Sequence, residues 1–287
     1  MRILLLLLCL YSCASIALCQ VSDDAGHHLQ LTQPAHRIIT LAPDLTEDLF
    51  AIGAGKSIIA TVDSSDYPPS ARRMTRIGSY AGLDLERIIT LHPDLIVTWG
   101  ANFARELAIL KQMKIPVYVA SPKQLQDIPR TMINLGCLTG KQARARQAAA
   151  YFSAHLRQLQ KRYEGQKKVT VFYQIGAYSL FTINHESWIN QVINLCGGYN
   201  IFASLATSAP EVSWEAVISA NPQVIISDAK SGWQRRWAKW PEVAAVNKHH
   251  LYTIDPNIID RAGPRLLQGA GQICQDLAVA RAGLIAR

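Results

Sequence analysis

The sequence predicts an α/β protein built as two similar lobes joined by a single long α-helix. Three observations predict it. The segment LDLERIITLHPDLIV (83–97) has a counterpart in VSWEAVISANPQVII (212–226). Both halves open on a strand, turn and helix pattern, and a run of helix formers, KQARARQAAAYFSAHLRQLQKRYE (141–164), lies between them.

In each copy of the repeat a glutamate, Glu86 or Glu215, stands seven residues before a proline, Pro93 or Pro222. Proline lacks an N–H and collides with the preceding turn, so each copy reads as a short helix that stops there. The β-branched run that follows reads as a buried parallel strand. The two glutamates are 129 residues apart, too far for a solenoid and suited to two lobes. RIITLAPDLTEDLFAIGAGKSIIAT (37–61) reads as strand, turn, helix, glycine pair, strand, and the segment from Lys168 repeats it with a longer turn. The run between the lobes contains no Gly or Pro, and its 24 residues would span roughly 36 Å. Tyr151, Leu156, Leu159 and Tyr163 fall at helical spacings, as on a helix lying across both lobes. The expected division is a first lobe over 36–140, a helix over 141–165 and a second lobe over 168–287. A rigid connection permits little hinge travel, so a ligand belongs in the cleft, at the carboxyl ends of the strands.

A hydrophobic fraction of 49% with 17% charged residues excludes a disordered chain. Residues 1–19 read as a secretory signal peptide: Arg2, a Leu-rich core, then Ser, Ala and Cys, with cleavage after Cys19. An uncleaved anchor and lipid attachment at Cys13 or Cys19 are the alternatives. The expected product is exported and soluble. Without this segment, which carries one base and no acid, 28 basic and 21 acidic residues leave a net charge of +7. The bases are dispersed along the chain, and nucleic acid is not an expected partner of an exported protein. Cys137, Cys196 and Cys274 remain, and in an oxidising compartment two of the three should pair. Cys196 with Cys274, both in the second half, is the pairing chosen.

The turns after the predicted strands supply the candidate cleft residues. DSSDYPP presents Tyr67, GSYAG presents Tyr80, and the end of DLIVTWG presents Trp99 and Gly100. YQIGAYSLF and DPNIIDRAGPR come from the second half. Three aromatics on separate loops of one lobe point to a broad, rigid, largely apolar ligand. Trp188 and Trp240 read as structural. The sequence carries no G-x-S-x-G, Walker loop, H-E-x-x-H or G-x-G-x-x-G, and its eight histidines are scattered, so the reading is binding without catalysis and no metal site.

RIITLAPDLTEDLFAIGAGKSIIATVDSSDYPP, IGSYAGLDLERIITLHPDLIVTW, NQVINLCGGYNIF and DRAGPR together resemble the cobalamin-binding branch of the class III substrate-binding proteins of ABC importers. The resemblance covers roughly residues 36–280. It implies two Rossmann-like lobes, a corrinoid held between them and the periplasm as the compartment. Tyr67, Tyr80 and Trp99 match ligand-facing aromatics, and Asn257, Ile258, Ile259, Asp260 and Arg261 occupy the ligand loop of the second lobe. Isoleucines stand at 258 and 259 where a family member carries aromatics. The resemblance also implies the Cys196–Cys274 disulfide and leaves Cys137 buried and free. It gives Glu86 and Glu215 a partner, arginines on the two subunits of a permease; read without it, they are acids favoured at helix N-termini.

The expected ligand is therefore cobalamin or another corrinoid, with no resident cofactor and no protein ligand to cobalt. The expected partner is an ABC permease dimer with its ATPase subunits, served by a monomeric chain. Haem or a ferric siderophore is the alternative cargo, with Tyr67, Tyr80 and Arg261 as contacts. An exported corrinoid-processing enzyme using Asp260 and His185 is the remote alternative.

Overall fold

The structure, a computed structural model, describes residues 19–100 and 102–285. Residues 1–18 of the expected leader, 1–19, lie outside the described residues. Cys19 lies inside them and corrects the sequence reading. It begins β1 (Cys19–Ser22), which pairs antiparallel with β2 (His28–Leu31). Cys19 and Val21 alternate inward onto the core, and Cys19 is disulfide-bonded to Cys137. A leader ending after Cys19 would remove half of that bond, and Cys137 is not free. The Cys196–Cys274 bond forms as expected.

The first lobe runs through β3 (Ile38–Thr40), α1 (Pro43–Ala51), β4 (Ile58–Thr61) and β5 (Thr75–Arg76). A small hairpin follows, β6 (Gly78–Ser79) with β7 (Gly82–Leu83), then α2 (Leu85–Thr90) and β8 (Leu95–Trp99). The lobe ends with α3 (Ala104–Gln112), β9 (Val117–Ala120) and α4 (Asp127–Leu138). Its sheet has the order β5-β4-β3-β8-β9, every pair parallel. The order reverses between β3 and β8. A sheet with helices on both faces buries every strand position, which is why IIT, LIV and VYVA carry no polar alternation.

Helix α5 (Gln142–Tyr163) joins the lobes. Its inner stripe is Ala145, Ala149, Phe152, Leu156 and Tyr163, at i, i+4, i+7, i+11 and i+18. The expected Tyr151 is one position, about 100°, off that stripe. It is 61% exposed, and Phe152 takes the buried place.

The second lobe comprises β10 (Val169–Gln174), α6 (Trp188–Leu195), β11 (Gly198–Asn200), α7 (Trp214–Ala220) and β12 (Val224–Ser227). It continues with α8 (Trp233–Trp237), α9 (Ala244–Asn247), β13 (Leu251–Thr253), α10 (Pro256–Ile259) and α11 (Leu266–Ile285). Its parallel sheet has the order β11-β10-β12-β13. The repeat falls on α2–β8 and α7–β12. In both copies a left-handed residue, His92 or Asn221 (each φ 46°), turns the chain out of the helix immediately before the proline. Asn221 also accepts the Ala244 backbone N–H through its side chain, at 2.8 Å.

One apolar cluster runs from the inner face of the first sheet through α4 and α5 to α6, α11 and the second sheet. Two further clusters cover the outer faces, the second built on Phe172, Trp233 and Trp237, with Trp240 packed against it as expected of a structural residue. The shared inner cluster couples the lobes to their connecting helix.

Candidate functional site

The cleft lies where the switch point of the first sheet faces the loops around α6 and α10. Pro43 and Asp44 leave β3, and Trp99 ends β8, so they flank the point of strand-order reversal. With Ser64, Tyr80 and Asn102 they form one wall of a cavity of about 510 Å³. Trp188, Pro256, Asn257, Asp260, Arg261 and Ala262 form the other. A second cavity of about 560 Å³ adjoins it, walled by Ser121–Gln124 from the first lobe and by His185–Trp188, Gln191, Ser208 and Ala209 from the second.

Trp99 and Trp188 line both cavities. Their rings meet edge to face across the cleft, centroids 6.4 Å apart at 82°. Trp188 is N1 of α6, with Ser187 capping the helix through the Ile189 N–H, and its indole N–H donates to the Ile259 carbonyl at 2.9 Å. Sequence reasoning took Trp188 for a core residue. The signal that could have found it is the Ser-Trp pair at a predicted N-cap, which puts the first side chain of a helix at its rim.

Tyr80, Trp99, Asn257, Asp260 and Arg261 are brought together in the first cavity. Tyr80 is 65% exposed on the β6–β7 turn and packs parallel to Phe103. The other four expected residues stand elsewhere. Ile259 is fully buried and Ile258 is half-buried against the inner core, because α10 is a single turn whose apolar side packs on α11. Gly100 forms the turn after β8, at φ 52°, without walling the cavity. Tyr67 is exposed and lines neither cavity, with the Arg265 guanidinium 4.2 Å above its ring centre.

An ion cluster closes the end of the cleft nearest α1. Arg261 donates to Glu47 (3.0 Å), Asp66 (2.7 Å), the Ser64 carbonyl (3.2 Å) and Asn257 (2.7 Å). Arg265 donates twice to Glu47, at 2.8 and 2.6 Å. Two second-lobe arginines thus grip one buried first-lobe carboxylate, a contact that short-range sequence patterns do not reveal. Burial opposes ionisation of Asp66, but the hydrogen bond and charge of Arg261 hold it below the usual carboxylate range. Asp44 is pushed up to about 7, chiefly by burial, with Glu47 adding to the shift. Asp260 also rises to about 7, through burial and the charge of Asp228. Near neutrality each is divided between carboxylate and carboxylic acid, so the floor can both accept and donate hydrogen bonds.

Asp260 and His185, paired in the enzyme alternative, line different cavities on either side of the tryptophan pair. His185 directs Nδ1 to the Ala203 carbonyl at 3.0 Å. Among the described residues no cluster of three or more His, Cys, Asp or Glu could hold a metal ion. No described helix is long and apolar enough to cross a membrane.

Two parallel α/β lobes on one spanning helix, with an aromatic cleft at the strand ends, define a substrate-binding architecture. The chain belongs to the periplasmic binding protein family, whose model matches residues 38–258. It is 35% identical over 246 residues to the vitamin B12-binding protein of Vibrio parahaemolyticus, covering 85% of this chain and 90% of that one. The crystal structure of the periplasmic vitamin B12 binding protein BtuF of Vibrio cholerae superposes with a TM-score of 0.79 at 34% identity, covering 86% of this chain and 98% of that one. The periplasmic heme-binding protein RhuT of Roseiflexus shares the fold alone, with a TM-score of 0.74 at 22% identity and coverage of 86% and 99%. These neighbours share the class III fold of two Rossmann-like lobes.

Proposed function

We infer that this chain captures cobalamin or a closely related corrinoid between its lobes, without chemical turnover, and delivers it to an ABC permease. The observation that carries the reading is the aromatic cleft, in which Tyr80 and Trp99 from one lobe face Trp188 from the other. Flat rings on both sides suit a broad, rigid, mostly apolar guest. The part-protonated Asp44 and Asp260 offer donors and acceptors to amide groups around such a guest, while Arg261 and Asn257 beside them are held by their own protein partners. Named relatives that bind vitamin B12 support the same cargo. Because the inner core joins both lobes to α5, the lobes are preset and only the Trp99–Trp188 contact between the two cavities has to part for a guest that spans both, which limits the ordering cost of binding.

Delivery rests on Glu86 and Glu215. Both are exposed in the first turns of repeat-related helices, α2 capped by Asp84 and α7 by Ser213. Hydrogen bonds from its own backbone N–H and from Ser213 hold the Glu215 carboxyl below its usual range, so it stays anionic. Two acids on equivalent elements suit a two-fold receptor carrying cations. The protein works as a monomer with a permease dimer and its ATPase subunits, and no protein side chain is assigned to cobalt.

The test is calorimetric titration of the purified chain with cobalamin, cobinamide and haemin, repeated with Trp188→Ala. Cobalamin should bind, and removal of a central aromatic should weaken it roughly thirty-fold or more. Haemin binding without cobalamin binding would overturn the cargo. Unchanged cobalamin affinity in Trp188→Ala would overturn the site.

A further inference from the structure

The bases occur along the whole chain, but their balance with acids is uneven. Residues 141–168 hold eight of its 29 lysines and arginines and one of its 21 acids, so the remainder is nearly balanced at 21 basic to 20 acidic residues. The fold gathers these cations on the outer side of α5 and the loop after it. Lys141, Arg144, Arg146, Arg157, Lys161, Arg162, Lys167 and Lys168 are all exposed. Among the described residues none of the eight pairs with an acid, whereas Arg261 and Arg265 at the cleft are fully engaged.

One flank of this exposed side, the flank of Arg144 and Arg162, is not purely polar. A cavity of about 520 Å³ opens beside α5, floored by Met132, Ala148, Phe152 and Leu267, with Arg144 and the exposed Tyr151 on its lining. An apolar groove with a guanidinium beside it fits an amphiphilic anion better than the acidic side chains of a protein. A helix of 22 residues, roughly 33 Å long, spreads its charge along a line instead of around a pocket. That geometry suits a delocalised anionic surface.

We propose that the outer face of α5 is a membrane-contact surface that binds anionic phospholipid. The bases supply attraction to the headgroups, and Tyr151 with the adjoining groove supplies the apolar contact expected at an interface. No residue of α5 lines either cleft cavity, and α5 packs chiefly on α4, α11 and α6. Attachment through α5 therefore leaves both the cleft and the two glutamates free. The proposal does not depend on the identity of the cargo.

The experiment is sedimentation of the purified protein with vesicles of phosphatidylcholine, with and without phosphatidylglycerol, at low and high salt. Two variants of equal net charge are compared. One carries Arg146→Glu, Arg157→Glu, Lys161→Glu and Lys167→Glu on the α5 face. The other carries Arg73→Glu, Lys230→Glu, Arg235→Glu and Lys239→Glu, exposed sites elsewhere. The wild type should sediment only with anionic vesicles, and less so in high salt, where screening shortens the reach of each charge. Each base near an anionic surface strengthens binding roughly five-fold, so the first variant should lose at least about a hundred-fold and the second far less. Unchanged thermal midpoints establish that both variants fold. A milder pair, Arg144→Gln with Tyr151→Ser, should also weaken binding and serves if the reversals unfold the chain. Equal losses in both variants, no preference for phosphatidylglycerol, or capture by poly-glutamate without capture by vesicles would each overturn the proposal.

Discussion

Replacing Glu47 by Gln removes the charge that two arginines share across the lobe interface. The Glu47 side chain is 1% exposed and accepts three hydrogen bonds, one from Arg261 and two from Arg265. Breaking a buried ion pair by removing one partner costs about 3–5 kcal/mol, because the remaining charge is left uncompensated. Arg261 would keep Asp66, the Ser64 carbonyl and Asn257, and each guanidinium retains 13–14% exposure, so the lower end, about 3 kcal/mol, applies. In a chain of this size each kcal/mol moves the melting midpoint by roughly 2–4 °C, which places Glu47→Gln about 6–12 °C below wild type. Asp66 is the control. Its side chain is 41% exposed, so Asp66→Asn should cost no more than about 1 kcal/mol. The assay is scanning calorimetry of the ligand-free proteins at neutral pH. A Glu47→Gln midpoint equal to wild type, or an Asp66→Asn loss of the same size, would refute the assignment of the clasp to Glu47.

Two further perturbations read the interior. Asp48 is wholly buried, neither of its side-chain oxygens has a hydrogen-bond partner, and burial drives its carboxyl well above the ordinary range. A raised native pKa means that its stabilising contribution is fully present below the unfolded value of 3.8 and is lost as pH climbs through the native one. Asp48→Asn removes that titration, so its stability advantage over wild type should widen between pH 5 and pH 8, by at most about 1.4 kcal/mol per unit; denaturant melts that differ by a constant would contradict this. The Cys19–Cys137 bond closes a span of 118 residues and should contribute about 5 kcal/mol on the chain-entropy model. Peptide mapping without reductant should recover the two cysteines linked, and Cys137→Ala should unfold at markedly lower denaturant; recovery of Cys137 as a free thiol would refute the bond.

Much of the scaffold was legible because its signals are local. β-branched runs ending at Trp99 and Ser227 announce buried strands. A proline after a short helix marks each repeat, and the absence of Gly and Pro over 141–164 announces the connecting helix. The site was legible only in part. The turns after strands named Tyr80 and Trp99, and the resemblance named Asp260 and Arg261 in the loop DPNIIDRAGPR; all four line one cavity. The resemblance also carried Ile258 and Ile259 along with their loop, although α10 turns them toward the core. Tyr151 and Phe152 show the limit of periodicity, since a one-residue shift of the buried stripe exchanges an inside aromatic for an outside one.

By itself the sequence determined the alternation of strand and helix and the two-fold repetition, which follow from propensity, periodicity and composition within short windows, while the Cys196–Cys274 staple came from the resemblance and the count of cysteines. Tertiary structure alone decided that Trp188 meets Trp99, that Glu47 lies under Arg261 214 residues away, and that Cys19 joins Cys137. Those pairs depend on how two independently patterned lobes seat against one helix. That geometry is set by packing over the whole shared core, and no short stretch of chain encodes it.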